Sequence, residues 1–176
     1  MAIDWTILEW IQSWHMSASD VVMTTVSRIG NGGLVWILLA AGLLAYPKTR
    51  KVGLAVAIAL VLDLLICNGI IKPLVGRLRP FEINTGVALL IPEPSGFSFP
   101  SGHTTAAFSA AVALWFQKSR WFVPALLLAC LMGFSRLYLY VHFPSDVLGG
   151  ILLGIALGAM GSLAADKIMA WRKSLL

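Results

Sequence analysis

Several side chains that suit a phosphate group are spread over three distant stretches of this sequence. Three of them are basic, and such cations hold phosphate oxygens, arginine two at a time: Lys72, Arg79 and Arg136. Ser101 and Gly102 begin a predicted helix, whose first backbone N–H groups and positive dipole end form an anion site. Gly102 also lets a ligand approach the backbone closely. Together these residues predict a binding site for a phosphoryl group.

Two histidines accompany the basic residues and add the means for catalysis. His103 directly follows Gly102, while His142 and Asp146 are four residues apart around a predicted helix start. The carboxylate can therefore hold one imidazole nitrogen and turn the other outward as a nucleophile or base. Two histidines at one phosphate predict that one attacks phosphorus and the other protonates the leaving oxygen. The few carboxylates and the basic surroundings predict no metal site.

The composition is typical of an integral membrane protein. Of the 176 residues, 59% are hydrophobic and 12% are charged, and the mean hydropathy of +0.85 is well above that of soluble proteins. The net charge of +5 does not indicate nucleic-acid binding, because the chain carries no nucleic-acid motif. The length predicts a single membrane-embedded domain over residues 1–176.

Five apolar segments approach the roughly 20 residues that a helix needs to cross a bilayer. They cover residues 21–46, 52–71, 103–116, 121–140 and 147–169. None shows the two-residue alternation of barrel strands, so we expect an all-α bundle of about five transmembrane helices. In the last segment, Gly150, Gly154 and Gly158 predict a close-packing face, either for a neighbouring helix of the bundle or for a dimer.

A proline-rich segment from Lys72 to Ser101 interrupts the apolar pattern. It holds five of the eight prolines, so it should be irregular or only briefly helical. The segment after it has about 14 apolar residues, or roughly 21 Å of helix, which is shorter than the ~30 Å hydrocarbon core. We therefore expect His103 near the outer interface, beneath a roof formed by the proline-rich loop.

The distribution of basic residues predicts the orientation in the membrane. With five crossings, eight of them share one side, which the positive-inside rule makes cytoplasmic: Lys48, Arg50, Lys51, Lys118, Arg120, Lys167, Arg172 and Lys173. Five others lie on the opposite side, where few are expected: Arg28, Lys72, Arg77, Arg79 and Arg136. A bound anion would explain them, which predicts a site on the extracytoplasmic face of the plasma membrane.

Three further features have structural interpretations. Trp5, Leu8 and Ile11 recur at helical spacing and predict a short amphipathic helix, either in the interface or packed against the bundle. Arg77 is expected to anchor the chain at the interface or to contact the outer rim of the site. Asp63 and Asn68 lie inside the second apolar segment and are expected to form interhelical hydrogen bonds, although a buried Asp also occurs in transporters.

Three motifs resemble the signatures of the type-2 phosphatidic acid phosphatase superfamily. They are "KPLVGRLRP" (Lys72 to Pro80), "PSGH" (Pro100 to His103) and "SRLYLYVHFPSD" (Ser135 to Asp146), in the family's order and without substitutions at the signature positions. Each alone is weak, but together they are highly specific. The superfamily also contains lipid pyrophosphate phosphatases and soluble vanadium haloperoxidases, and the apolar segments exclude the latter. The resemblance implies a haloperoxidase-like helical core around the site.

The resemblance also implies a role for each motif residue. His142 would be the nucleophile that forms a phosphohistidine, Asp146 would orient it, and His103 would be the general acid. The phosphoryl oxygens would be held by the remaining residues: Lys72, Arg79, Ser101, Gly102 and Arg136. No cofactor is implied. The expected partners are the bilayer and a lipid phosphate, and the sequence leaves the oligomeric state open.

The expected function is hydrolysis of a lipid phosphomonoester or pyrophosphate. Undecaprenyl pyrophosphate is the favoured substrate, while phosphatidylglycerophosphate, phosphatidic acid and lipid A phosphates stay open. A lipid phosphotransferase would use the same motifs. A transporter of lipid phosphates is disfavoured, because binding alone requires neither the two histidines nor Asp146.

The predicted sidedness can be tested by cysteine labelling in a chain whose own cysteines are replaced. Asn84→Cys should react with an impermeant thiol reagent in intact cells, because the proline-rich loop is expected outside. The matched control, Ser119→Cys in the predicted cytoplasmic turn, should react only after lysis. The reverse labelling pattern would contradict the predicted orientation.

Overall fold

The structure is a computed structural model that describes residues 2–175, and all regular elements in this range are helical. The α-helices are α1 (Ala2–Gln12), α2 (Ser17–Ile29), α3 (Leu34–Ala45), α4 (Arg50–Leu62), α5 (Lys72–Val75), α6 (Pro80–Ile83), α7 (Gly102–Phe116), α8 (Phe122–Tyr138) and α9 (Pro144–Ser174). A π-helical segment, Asp63–Ile71, joins α4 to α5, and short 3₁₀ turns lie at Asn31–Gly33 and Pro47–Thr49. The predicted all-α class is confirmed.

Helix α7 lies at the centre of the bundle. Every residue from Thr104 to Leu114 is buried, and α7 contacts α4, α8 and α9. Its sequence explains this position, because a helix that is apolar all round must be covered all round. Five of its residues are alanines, whose small side chains let the neighbouring backbones approach.

The glycine face of α9 packs against α7, as one of the two sequence interpretations predicted. A Cβ atom on Gly154 would lie 2.7 Å from the Cβ of Phe108, and one on Gly158 would lie 2.6 Å from the carbonyl oxygen of Ser109. Because real Cβ atoms do not approach so closely, these positions require glycine at the present helix separation. The face is therefore used inside the bundle.

The first predicted span is not one continuous helix. It is divided into α2 and α3, which are bent by 48° relative to each other. Gly32 and Gly33 adopt positive φ angles of 59° and 70°, which end a right-handed helix. The predicted crossing segment over residues 21–46 is therefore divided into two helices, and the break places the Gly30–Gly33 turn beside the candidate site.

The apolar helices of residues 2–175 differ in whether they are long enough to cross a membrane. By length and apolar composition, two stretches, Pro47–Ile83 and Pro144–Ser174, can cross a membrane, and the bent pair α2–α3 would make three. Helix α8 is apolar but has 17 residues, and α7 has 15. The apolar helices suit a membrane protein, while the count of five spans stays a prediction.

The N-terminal helix α1 shares features of both interpretations. Leu8 and Ile11 are buried beside the end of α8, whereas Ile3 and Trp10 are exposed. The side-chain amide of Gln12 donates hydrogen bonds to the carbonyls of the α8 residues Leu137 and Tyr138. One face of α1 is therefore packed on the bundle, and the opposite apolar face is available to the membrane interface.

We predict that closing the space between α7 and α9 destabilises the fold. Gly158→Ala should lower the stability by about 1–3 kcal/mol, because the added methyl collides with the backbone of α7. Gly42→Ala on α3 is the matched control, since its Cβ would have no neighbour within 4 Å. Thermal unfolding in detergent should show a lower midpoint for Gly158→Ala alone. Equal midpoints for both variants would contradict the packing argument.

Candidate active site

The predicted site residues meet at a cavity of about 720 Å³ at the end of the bundle where α7 begins. Six of the eight line it: Lys72, Arg79, Gly102, His103, Arg136 and His142. Asp146 lies behind His142, at 3.6 Å from its ring. Pro94 and Ser95 of the proline-rich loop also line the cavity, and the loop has only the short helices α5 and α6, as expected.

His142 is held by a partner at each ring nitrogen. Its Nε2 atom lies 3.1 Å from Nη1 of Arg79. Its Nδ1 atom faces the interior, 3.3 Å from the hydroxyl of Ser98 and 3.6 Å from the carboxylate of Asp146. Because a guanidinium can only donate, this arrangement gives Nε2 the lone pair and Nδ1 the proton. Nε2 therefore carries the lone pair that a nucleophilic imidazole would use.

The ring of His142 is 2% exposed, and its environment opposes protonation. Burial lowers the pKa of His142 to about 3, with Arg79 and Arg136 adding to this effect and Asp146 opposing it. The imidazole is thus neutral around pH 7, which a nucleophile requires.

Asp146 is a fully buried carboxylate with several donors. Its Oδ2 atom accepts hydrogen bonds from the Ser98 hydroxyl at 2.6 Å and from the backbone N–H of Phe143 at 2.7 Å. The second bond satisfies a free N–H group at the start of α9. Its Oδ1 atom accepts a hydrogen bond from Nη1 of Arg77 at 2.7 Å. These contacts hold the carboxylate that faces His142.

The sequence interpretation of Arg77 as an interfacial anchor or outer-rim contact is wrong. Its guanidinium binds Asp146, donates to the Ser145 hydroxyl at 2.6 Å, and donates from Nη2 to Asp4 at 2.9 Å. It also stacks on the ring of Phe143, with the guanidinium carbon 4.2 Å from the ring centroid. The partners come from α1 and from the start of α9, so the pattern around residue 77 alone gave no signal for them.

The guanidinium of Arg79 is buried beneath the proline-rich loop. It donates hydrogen bonds to the carbonyls of Gly96 at 2.8 Å and Val141 at 3.0 Å, in addition to its contact with His142. The Val141 bond and the His142 contact share Nη1. This cation therefore links the loop to His142 and keeps its charge beside the cavity.

Arg136 is the second deeply buried arginine, at 2% exposure. Its Nη1 atom donates a hydrogen bond to the hydroxyl of Ser27 on α2. Within residues 2–175 its Nε atom has no hydrogen-bond partner. A buried cation with an unused donor is suited to an anionic ligand.

His103 lines the cavity as the second residue of α7. Its Nε2 atom is 3.1 Å from the side-chain oxygen of Asn31, in the turn between α2 and α3. A Cβ atom on Gly30 would lie 2.9 Å from the His103 ring. The glycine-rich turn therefore gives the histidine room and a polar partner, which sequence spacing could not reveal because 72 residues separate them.

The start of α7 lies close to the side chains of Lys72 and Asn68. A Cβ atom on Gly102 would lie 3.3 Å from Nζ of Lys72 and 3.2 Å from the side-chain oxygen of Asn68. Ser101 is fully buried and is not among the described residues that line the cavity. Its backbone N–H donates to the Asp146 carbonyl at 3.0 Å. Ser101 thus connects the start of α7 to Asp146, the residue that faces His142.

The expected interhelical hydrogen bonds of Asp63 and Asn68 do not occur in the described part of the chain. Both side chains instead line the cavity, on the same face as Lys72. Asp63 is buried, and its Oδ1 atom finds no partner among residues 2–175. The π-helical segment causes this alignment, because its wider turn brings residues five apart onto one face.

Comparison with known proteins agrees with this geometry. The family model of the PAP2 superfamily matches residues 50–169. The chain belongs to the PAP2 superfamily. The resemblance of its three motifs to this superfamily is thereby confirmed, and the curated relatives that it matches are named as phosphatases.

Relatives of this chain are named for different substrates. An undecaprenyl-diphosphatase of Sulfolobus acidocaldarius is 35% identical over 76% of this chain, and the match spans 64% of that protein's length. A lipid A 4'-phosphatase of Bacteroides thetaiotaomicron is 30% identical, covering 96% of this chain and 79% of the relative. Lipid phosphates are the shared substrate class.

A solved PAP2 structure has the same fold. The phosphatidylglycerolphosphate phosphatase of Bacillus subtilis superposes with a TM-score of 0.76 at 31% identity, covering 95% of this chain and 86% of that one. This similarity supports the helical arrangement around the site.

We predict that activity survives chelation of divalent metals. Lys72, Arg79 and Arg136 surround the cavity and supply the positive charge that Mg²⁺ supplies in other phosphoryl-transfer sites. Phosphate release should be measured with EDTA, with and without added Mg²⁺. Loss of activity with EDTA and recovery with Mg²⁺ would contradict this assignment of the cations.

Proposed function

We propose that the protein is a lipid phosphatase that acts through a phosphohistidine on His142. The observation that carries this proposal is the orientation of His142, whose Nε2 atom faces a cationic cavity while Nδ1 faces Asp146. A neutral imidazole in this orientation is an activated nucleophile with its second nitrogen held by a carboxylate.

The reaction has two steps. In the first, the lone pair of His142 Nε2 forms a bond to phosphorus as the bond to the leaving oxygen breaks, and His103 gives that oxygen a proton. In the second, water attacks the phosphohistidine while His103 takes a proton from the water. The N–P bond breaks, its electron pair returns to Nε2, and inorganic phosphate is released.

The cations stabilise the charge that develops on the phosphoryl oxygens. Arg79, just before α6, and Arg136 on α8 both present guanidinium donors to the cavity. Lys72 adds a third charge beside the N-terminus of α7. The backbone N–H groups that follow Ser101 and Gly102 complete the anion site. Preorganised donors in a water-poor site contribute several kcal/mol to the stabilisation of a transition state.

An apolar extension of the cavity supports a lipid substrate. Beyond the polar end, the lining consists of residues from α3 and α4: Ile37, Ala40, Ala41, Leu44, Ala57, Leu60 and Val61. Such a wall suits a hydrocarbon chain attached to the phosphate. The chemical end and the apolar end belong to one continuous cavity.

Undecaprenyl pyrophosphate is the first substrate to test, at the extracytoplasmic face of the plasma membrane. The relative from Sulfolobus acidocaldarius is named for this activity. Phosphatidylglycerophosphate is the second candidate, because the Bacillus subtilis structure is named for it. Purified protein should be assayed with both lipids, phosphatidic acid and lipid A, following phosphate release and any transfer of labelled phosphate to a second lipid.

Replacing His142 and replacing His103 should affect activity in different ways. His142→Ala should lose turnover of every substrate, because the nucleophile is absent. His103→Ala should lose lipid monoester hydrolysis by roughly 100-fold or more, since a lipid alkoxide leaves only with a proton. It should keep a larger fraction of p-nitrophenyl phosphate hydrolysis, because nitrophenolate leaves without one. The measurement is kcat/KM for both variants on both substrates.

The same experiment can overturn the assignment. If His103→Ala loses both substrates equally and His142→Ala keeps activity on p-nitrophenyl phosphate, the two roles are exchanged or wrong. Vanadate, a mimic of five-coordinate phosphorus, should inhibit the wild type.

A further inference from the structure

A chain of charged contacts connects the N-terminal helix to the candidate nucleophile. The carboxylate of Asp4 on α1 pairs with Nη2 of Arg77 at 2.9 Å, and Nη1 of Arg77 pairs with Asp146 at 2.7 Å. Asp146 then faces His142 at 3.6 Å. Arg77 is not among the described residues that line the cavity, so any effect on catalysis must pass through Asp146.

Arg77 supplies the charge that Asp146 requires. A fully buried carboxylate without a paired cation is costly, and a neutral His142 provides none. The guanidinium is 20% exposed, while the Asp146 side chain is completely buried. The ion pair therefore keeps Asp146 ionised and aimed at Nδ1 of His142.

Asp4 holds the guanidinium and the start of α9 at the same time. Its Oδ2 atom accepts bonds from Arg77 and from the Ser145 hydroxyl at 2.7 Å, and its Oδ1 atom accepts the backbone N–H of Ser145 at 2.9 Å. Burial raises the pKa of the Asp4 carboxyl, but the bonds from Ser145 and Arg77 outweigh burial and lower it. Asp4 thus acts as a helix cap supplied by another helix.

We propose that Arg77 and Asp4 are positioning residues for the nucleophile, and that α1 contributes through them to the orientation of His142. The inference rests on the proposed function, because it assigns these residues to the phosphohistidine step. They touch neither the cavity nor the substrate. Their effect is to fix the rotamer and the charge of Asp146.

The proposal predicts opposite pH effects for the two charges. The charged or titratable groups around His142 are Asp146 on α9, Arg79 before α6, Arg136 on α8 and His103 on α7. Arg77→Gln removes a cation beside Asp146, which favours protonated His142 and raises its pKa. Asp4→Asn leaves the Arg77 charge uncompensated, which lowers that pKa. Only neutral His142 attacks, so the acidic limb of the kcat–pH profile reports its pKa. The apparent pKa of this limb should rise in Arg77→Gln and fall in Asp4→Asn.

The test measures kcat and KM against pH for a lipid substrate that the wild type hydrolyses. We expect Arg77→Gln to reduce kcat by about 10- to 100-fold with KM nearly unchanged, because a misplaced nucleophile slows the chemical step more than binding. Its acidic limb should rise by roughly half a pH unit or more. Asp4→Asn should shift the limb downward by less, since it is farther from His142. Arg77→Lys keeps the charge, so it should restore the apparent pKa of the acidic limb and part of kcat.

A control pair lies at the other end of the bundle. Lys51 and Asp166 are 2.8 Å apart and half-exposed, and Asp166→Asn should change neither kcat nor the limb. Limbs that move in the same direction in Arg77→Gln and Asp4→Asn, or that do not move, would overturn the proposal. Should Arg77→Gln fail to fold, the shift of Asp4→Asn alone decides between the outcomes.

The control for the underlying reaction is His142→Ala, measured in parallel. If His142→Ala keeps activity, the proposed function fails irrespective of Arg77. If His142→Ala is inactive and the acidic limbs of Arg77→Gln and Asp4→Asn have the same pKa, the nucleophile assignment stands. Only the role of Arg77 and Asp4 is then rejected.

Discussion

The rest of the structure depends on the burial of several cations at one end of an apolar bundle. Arg79 and Arg136 are 3% and 2% exposed, and Lys72 faces the same cavity. Buried charges of one sign repel each other and lose hydration, so each needs partners or an anion. Arg79 finds carbonyl groups in the proline-rich loop, while Arg136 keeps an unused donor within residues 2–175. The excess charge favours an anionic ligand, which agrees with the phosphatase family.

Close helix packing turns these charges into a defined geometry. A Cβ atom on Gly150 would lie 2.9 Å from the carbonyl oxygen of Ser101, so α9 can approach the start of α7 only with glycine there. That approach allows the Ser101 N–H to reach the Asp146 carbonyl at 3.0 Å. The anion-binding helix start and the histidine–carboxylate pair are therefore tied by a backbone contact. Side-chain size in the core determines the distance between the two halves of the site.

The sequence predicts what depends on local pattern and fails where distant segments meet. The proline-rich loop, the helix start at Gly102 and the glycine face of α9 follow from residue type and spacing, and the structure has all three. The break at Gly32 was missed because the surrounding apolar residues suggested one span. Ser98 and Asn31 were not singled out, since a serine in a loop and an asparagine in a turn are common. Their importance arises only from contacts over 48 and 72 residues of chain.

The sides of the site have different roles, and this asymmetry bears on how a lipid phosphate reaches it. The rear is closed by Asp146, Arg77 and α1, which are joined by ion pairs. The roof contains Pro94 and Ser95 of the loop, whose neighbouring carbonyls are bound by Arg79. The wall formed by α3 and α4 is apolar and belongs to the same cavity. An amphiphile with an anionic head matches this order of surfaces, because its phosphate can meet the cations while its chain lies along α3 and α4. The arrangement therefore agrees with the proposed lipid substrate, whose head and chain would occupy the two ends of one cavity.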